Sequence, residues 1–173
     1  MLDMKAILFA TLLGTFAMAQ NPDAKTTWGN MRIRQAQIKG VLIRSAEKMP
    51  ETSYGFKPSH DVRSFGELAS HVAMASYAFC SAATGDKPAM PDEKSLKTKE
   101  DITKALKEAL DYCDKAYAGL TDANANDPVK LFGMELTKAG ALQLNTAHDF
   151  EHYGNMVTYM RIRGFVPPSS EGR

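Results

Sequence analysis

The chain has 173 residues, 44% apolar and 24% charged, the size and composition of one folded domain that buries its own core. Its 21 basic and 20 acidic residues leave a formal charge of +1. That balance supplies no broad basic field to hold phosphate backbones, so nucleic acid is not an expected partner.

Residues 1–19 have the order of an export signal. Lys5 gives a basic start, residues 6–16 are apolar, and Ala17-Met18-Ala19 reads as a small-residue cleavage site. Gln20 is then the mature N-terminus, and residues 20–173 form the single domain. The apolar run is shorter than the ~20 residues that span a bilayer, and a buried first helix is the competing reading. Asp3 is atypical ahead of a signal, which makes Met4 an alternative start. No Cys follows the run, so no lipid or membrane anchor is expected after cleavage. The expected location is the periplasm or the exterior of a bacterium.

Four long segments then read as helices. The first covers residues 27–49, where Trp28, Met31, Ala36, Ile38, Val41, Leu42 and Ala46 mostly recur at three- and four-residue spacing. Pro50 ends it, because the residue before a proline avoids helical angles. A loop over residues 51–63 contains His60, expected to be solvated. The second helix opens on a capping box, Ser64-Phe65-Gly66-Glu67, and buries Phe65, Leu68, Val72, Ala75 and Phe79. Gly85 stops it. The third follows Thr98 over residues 99–118, with Ile102, Leu106, Ala109, Leu110, Cys113 and Tyr117 on one stripe. After a turn-rich stretch, residues 122–127, an irregular lead-in from Asp127-Pro128 precedes the fourth helix, residues 138–163. Gly164 and Pro167-Pro168 close that helix. No segment alternates with period two, so strands are few or absent, and the fold class is an all-α four-helix bundle. Cys80 and Cys113 lie on different helices. In an oxidising compartment they can bridge, and two buried free thiols are the equal alternative.

The chain has four histidines. His148 and His152 stand four residues apart, a helical offset of ~40° and ~6 Å that lets two imidazoles reach one ion. Their stripe, Leu144, His148, His152, Met156 and Met160, is otherwise apolar and is expected to face the core. Two buried imidazoles on adjacent turns are costly without a ligand between them. His71 has Leu68 and Ala75 on its own stripe and small neighbours that leave room beside its ring. Three neutral imidazoles leave positions open on a divalent metal ion, as catalytic zinc sites do. The sequence has no H-E-x-x-H, and covalent haem is excluded because C-x-x-C-H is absent. Asp149-Phe150-Glu151-His152 alone approaches the Glu-x-x-His of di-iron bundles.

These pieces together resemble the DinB-like superfamily, of DinB/YfiT type, of metal-dependent four-helix bundles. The resemblance runs from Met49-Pro50-Glu51 and Tyr54-Gly55-Phe56-Lys57-Pro58 through Val62-Arg63-Ser64-Phe65-Gly66-Glu67-Leu68 to His71. It resumes at Asn145-Thr146-Ala147-His148-Asp149-Phe150-Glu151-His152-Tyr153-Gly154-Asn155 and ends at Tyr159-Met160-Arg161, Gly164 and Pro167-Pro168. Asn155 departs from it, since many relatives carry Gln there. The resemblance implies an up-down-down-up helix order and metal ligation by His71, His148 and His152. It also implies zinc or nickel ahead of iron or manganese, and frequent homodimers.

Two functions fit these readings. One is a metal-dependent hydrolase or thiol (S-)transferase acting on a small molecule. Asp149 or Glu151 are candidates to steady a ring N–H, though a solvated helix face is the preferred reading for both. Asn145, Tyr153 and Tyr77 are candidates to line the pocket. The other is a non-catalytic metal- or ligand-binding or structural module of the periplasm.

Overall fold

The computed structural model describes residues 24–172. The segment read as an export signal, with its expected cleavage site, lies outside the described residues. Four helices carry the fold: α1 (Thr27–Lys48), α2 (Phe65–Thr84), α3 (Lys99–Ala118) and α4 (Lys138–Ile162). Each begins where a hydroxyl replaces the missing helical acceptor. Thr26 accepts from Gly29 N, Ser64 from Glu67 N, Thr98 from Asp101 N and Thr137 from Gly140 N. At Ser64 the Glu67 carboxylate reaches back to the Ser64 amide at 2.7 Å, completing the expected capping box. Gly85 ends α2 with φ 80°, an angle that favours glycine.

Side-chain pairings give the helix directions. Arg32 donates to the Ala118 carbonyl and Lys99 to the Glu47 carbonyl, so α1 and α3 run antiparallel. Gly66 lies against Ile102 and Cys80 against Cys113, so α2 and α3 run parallel. Tyr159 reaches Arg63 and Asp149 reaches Ser76, so α4 opposes α2. The order is up-down-down-up. Its parallel step requires a long connection, residues 86–98, which crosses the bundle lengthwise.

The core falls into two clusters along the bundle. Ile38, Leu42, Phe65, Val72, Leu106, Met156 and Met160 fill one end. Phe79, Tyr117, Leu120, Leu131 and Leu142 fill the other. Cys80 and Cys113 form a disulfide within the second group, their Cα atoms 5.3 Å apart. Among the described residues, no helix is long and apolar enough to cross a membrane.

The expected irregular lead-in to α4 is instead a β-hairpin, β1 (Pro128–Leu131) and β2 (Met134–Thr137), paired antiparallel with Leu131 opposite Met134. Phe132 and Gly133 form its two-residue loop with φ of 49° and 79°, the sign pattern of the turn that matches strand twist. Four-residue strands are too short to leave a period-two pattern.

The inward stripe of α4 also differs from expectation. Leu144 is 38% exposed, whereas Asn145 and Asp149 are fully buried. Steps of four residues drift ~40° around a helix, so a line that is buried at Met156 and Met160 has turned outward by Leu144.

Candidate metal centre

His71 projects from the second turn of α2, and His148 and His152 project from successive turns of α4. The antiparallel packing of these helices brings the three rings together. His148 Nε2 lies 3.0 Å from His71 Nε2 and 3.0 Å from His152 Nε2. Three ligand nitrogens thus lie within 4.8 Å of one another. The rings meet at tilted or edge-on angles, with centroids 4.3–5.0 Å apart.

The donor set fits a cation. A neutral imidazole nitrogen offers one in-plane site, either a lone pair or an N–H. His148 Nε2 faces two other Nε2 atoms, so hydrogen bonding accounts for at most one of the two contacts. Two nitrogens each ~2.0–2.1 Å from a common ion, ~90–110° apart, stand ~2.9–3.4 Å from one another, which matches the spacing seen. Burial holds the proton affinity of His71 down to about 4, helped by the Arg63 charge and the other two histidines and opposed by Glu151. Burial likewise holds His152 at about 4, helped by His148 and Arg63. Both rings are therefore neutral at neutral pH, the form that ligates.

A polar layer lies beneath the histidines. Asp149 was expected on a solvated face, yet it is 0% exposed. Its carboxylate accepts from Ser76 Oγ at 3.4 Å and from Asn145 Nδ2 at 3.2 Å. Burial pushes its proton affinity up, opposed chiefly by His148. Asp149 Oδ1 stands 3.7 Å from His148 Nδ1, just beyond hydrogen-bond range, and that buried nitrogen has no other partner. Asn145 also donates to the Tyr117 hydroxyl and to Gln35. It therefore belongs to this layer rather than to a pocket wall. Asn155, noted in the sequence as a departure, lies 3.4 Å from His152 Nδ1.

The other candidates fall elsewhere. Glu151 is exposed and lines a cleft of ≈ 730 Å³ beside His152. His60 is exposed as expected, pairs with Asp61 and borders that cleft. Tyr153 is buried and its hydroxyl accepts from Ser169 N, tying down the C-terminal tail. Tyr77 is buried against Tyr112, on the α3 side of α2. Neither tyrosine lines the cleft. Sequence reasoning missed Lys57, Arg63 and Tyr159, which do. It also missed the tilted ring contact of Phe79 with His148, at 5.4 Å between centroids. Arg63 and Lys57 lie in a loop whose path carries no periodic signal.

The fold and site define a parallel-crossover four-helix bundle with a three-histidine centre between its second and fourth helices. The DinB superfamily model matches residues 37–156, and the chain belongs to that superfamily. It is 25% identical over 129 residues to the uncharacterised protein YjoA of Bacillus subtilis (strain 168), a match covering 73% of this chain and 84% of YjoA. The crystal structure of that DinB-like protein superposes with a TM-score of 0.65, covering 83% of this chain and 99% of the other at 20% identity. A DinB-like protein from Bacillus cereus ATCC 10987 superposes at 0.70 with 16% identity, covering 83% and 96%. The mycothiol-dependent maleylpyruvate isomerase superposes at 0.61 with 12% identity, covering 76% of this chain and 61% of the enzyme.

Proposed function

We propose that the protein is an exported metalloenzyme of the DinB superfamily. In this reading it holds one divalent ion, zinc or nickel, on His71, His148 and His152, and it acts on a small molecule as a hydrolase or thiol transferase. The carrying observation is the double contact of His148 Nε2 with two imidazole nitrogens at 3.0 Å. The ion would supply Lewis acidity undiminished by ligand charge, because all three ligands are neutral. The chain's own residues hold and orient. Asn155 steadies His152, Asp149 stands under His148, and the Phe79 ring shields the His148 side from water. A thiol-dependent isomerase on the same fold supports the enzymatic reading. The Cys80–Cys113 bridge supports an oxidising compartment and hence export.

One observation favours the non-catalytic alternative. Asp149, the carboxylate packed against the ligands, lies beneath them in the core and not on their open side. Chelation separates the two readings. A large drop in melting temperature without reactivity marks a structural ion, and a small drop with reactivity marks a catalytic one.

The site itself is tested by elemental analysis after dialysis. Wild-type protein is expected to retain about one equivalent of metal. His71→Ala, His148→Ala and His152→Ala are each expected to lose most of it, and His60→Ala to lose none. Stoichiometric metal in the triple histidine variant would overturn the assignment.

A further inference from the structure

We propose that the cleft beside the three histidines takes a small molecule bearing a carboxylate, and that Arg63 is the group that receives it. The proposal rests on the metal reading above for the ligand's second anchor, and on the cleft itself for the first.

The cleft of ≈ 730 Å³ is of a size that accommodates a small molecule, and its lining includes His152 and Asn155. Its cationic side chains are Lys57, Arg63 and, when protonated, His60. Lys57 is engaged by Glu67 at 3.1 Å, and His60 by Asp61 at 2.8 Å. The Arg63 guanidinium, among the described residues, has neither a hydrogen bond nor an ion pair. Its backbone is nonetheless fixed. The Tyr159 hydroxyl donates to the Arg63 carbonyl at 3.0 Å, and Ser64 caps α2 immediately after it. An exposed cation held by its backbone and left without a counter-ion at the mouth of a cleft is placed to receive an anion.

Position decides where that anion sits. Arg63 lines the same cleft as His152, so its charge bears on the end of the cleft where the histidines stand. Three neutral ligands leave a bound ion its full double charge at that same end. Glu93 and Glu151 line the cleft as exposed side chains, and the described residues include no ion pair for either. They disfavour a dianion. A single planar guanidinium matches a carboxylate through two parallel hydrogen bonds, whereas a phosphate dianion would want more donors than the cleft leaves free. The expected ligand therefore carries one carboxylate on Arg63 and, a few bonds away, a donor atom for the ion.

The test uses cobalt(II)-loaded full-length protein, titrated through its visible absorption with the monohydroxamates of succinic and glutaric acids. Each acid is paired with its terminal carboxamide and its terminal phosphonate. The hydroxamate engages the ion in every compound, so the pairs isolate the distal group. For at least one chain length the acid should bind about tenfold or more tighter than the amide, the scale of a charge-assisted hydrogen bond. Arg63→Gln should erase that advantage while leaving cobalt content and amide affinity unchanged, and Arg63→Lys should keep part of it. Equal binding of acids and amides at both lengths overturns the proposal. So does an acid preference that survives Arg63→Gln, or a phosphonate that outbinds the acid. Cobalt content reads the metal assignment separately. Protein that takes up cobalt but shows no acid preference sinks the carboxylate alone, whereas protein that takes up none sinks both.

Discussion

Asp149 sets the behaviour of the histidine nearest to it. For Nε2 of His148 to ligate, its proton must sit on Nδ1, and that nitrogen is buried with Asp149 Oδ1 3.7 Å away. A sub-ångström adjustment closes the pair. Asp149→Asn keeps the shape and removes the charge, and is expected to weaken metal affinity ~10–100-fold with little change in fold, as competition against a chelator of known affinity would read. Unchanged affinity would show that the ring needs no acceptor. The Tyr117 hydroxyl shares this polar layer. It donates to the Leu142 carbonyl at 2.6 Å, and burial pushes its proton affinity up to about 12. An unfolded tyrosine ionises near pH ~10. The folded state binds the proton more tightly, so this contribution is present below pH ~10 and lost as pH rises through 12. Denaturant midpoints of wild-type protein should fall over that range, and more steeply than those of Tyr117→Phe.

At the level of elements, helices were legible because their signals are local and repeated. Ser64 with Glu67, Thr98 and Gly85 mark ends by chemistry that acts within four residues, and all three stand where the sequence places them. The hairpin left no such trace. Its strands are four residues long, and its turn carries Phe132 where asparagine or glycine is usual. His148 and His152 were legible by their spacing, and His71 joined them through the family resemblance. Asp149 was misjudged because a stripe drawn in steps of four drifts off the buried face, and Arg63 was missed because a loop has no period. Phe132 itself carries a prediction. A left-handed angle costs an ordinary residue ~1–2 kcal/mol, and this side chain is 69% exposed with an edge contact to Phe79 worth less than that. Phe132→Asn should raise stability by up to ~1 kcal/mol in thermal melts. A loss would mean that the contact with Phe79 outweighs the backbone.

Over the whole molecule, the disulfide and the crossover govern different properties. Cys80 and Cys113 are 33 residues apart in sequence, and closing a loop of that length lowers the entropy of the unfolded chain by the equivalent of ~3–4 kcal/mol. Replacing both by Ala, or adding reductant, should lower unfolding free energy by about that much, with no further loss when the two are combined. The native protein should show no titratable thiol before reduction. The crossover has another consequence. Parallel α2 and α3 must be joined by residues 86–98, and that segment brings Glu93 to the rim of the cleft. The scaffold and this part of the cleft's rim are thus carried by separable stretches of chain. Lengthening a surface connection costs little, growing only with the logarithm of its length. A lineage can therefore change the charge at the rim of the cleft by editing this strap alone, leaving the bundle, its three histidines and Arg63 as inherited.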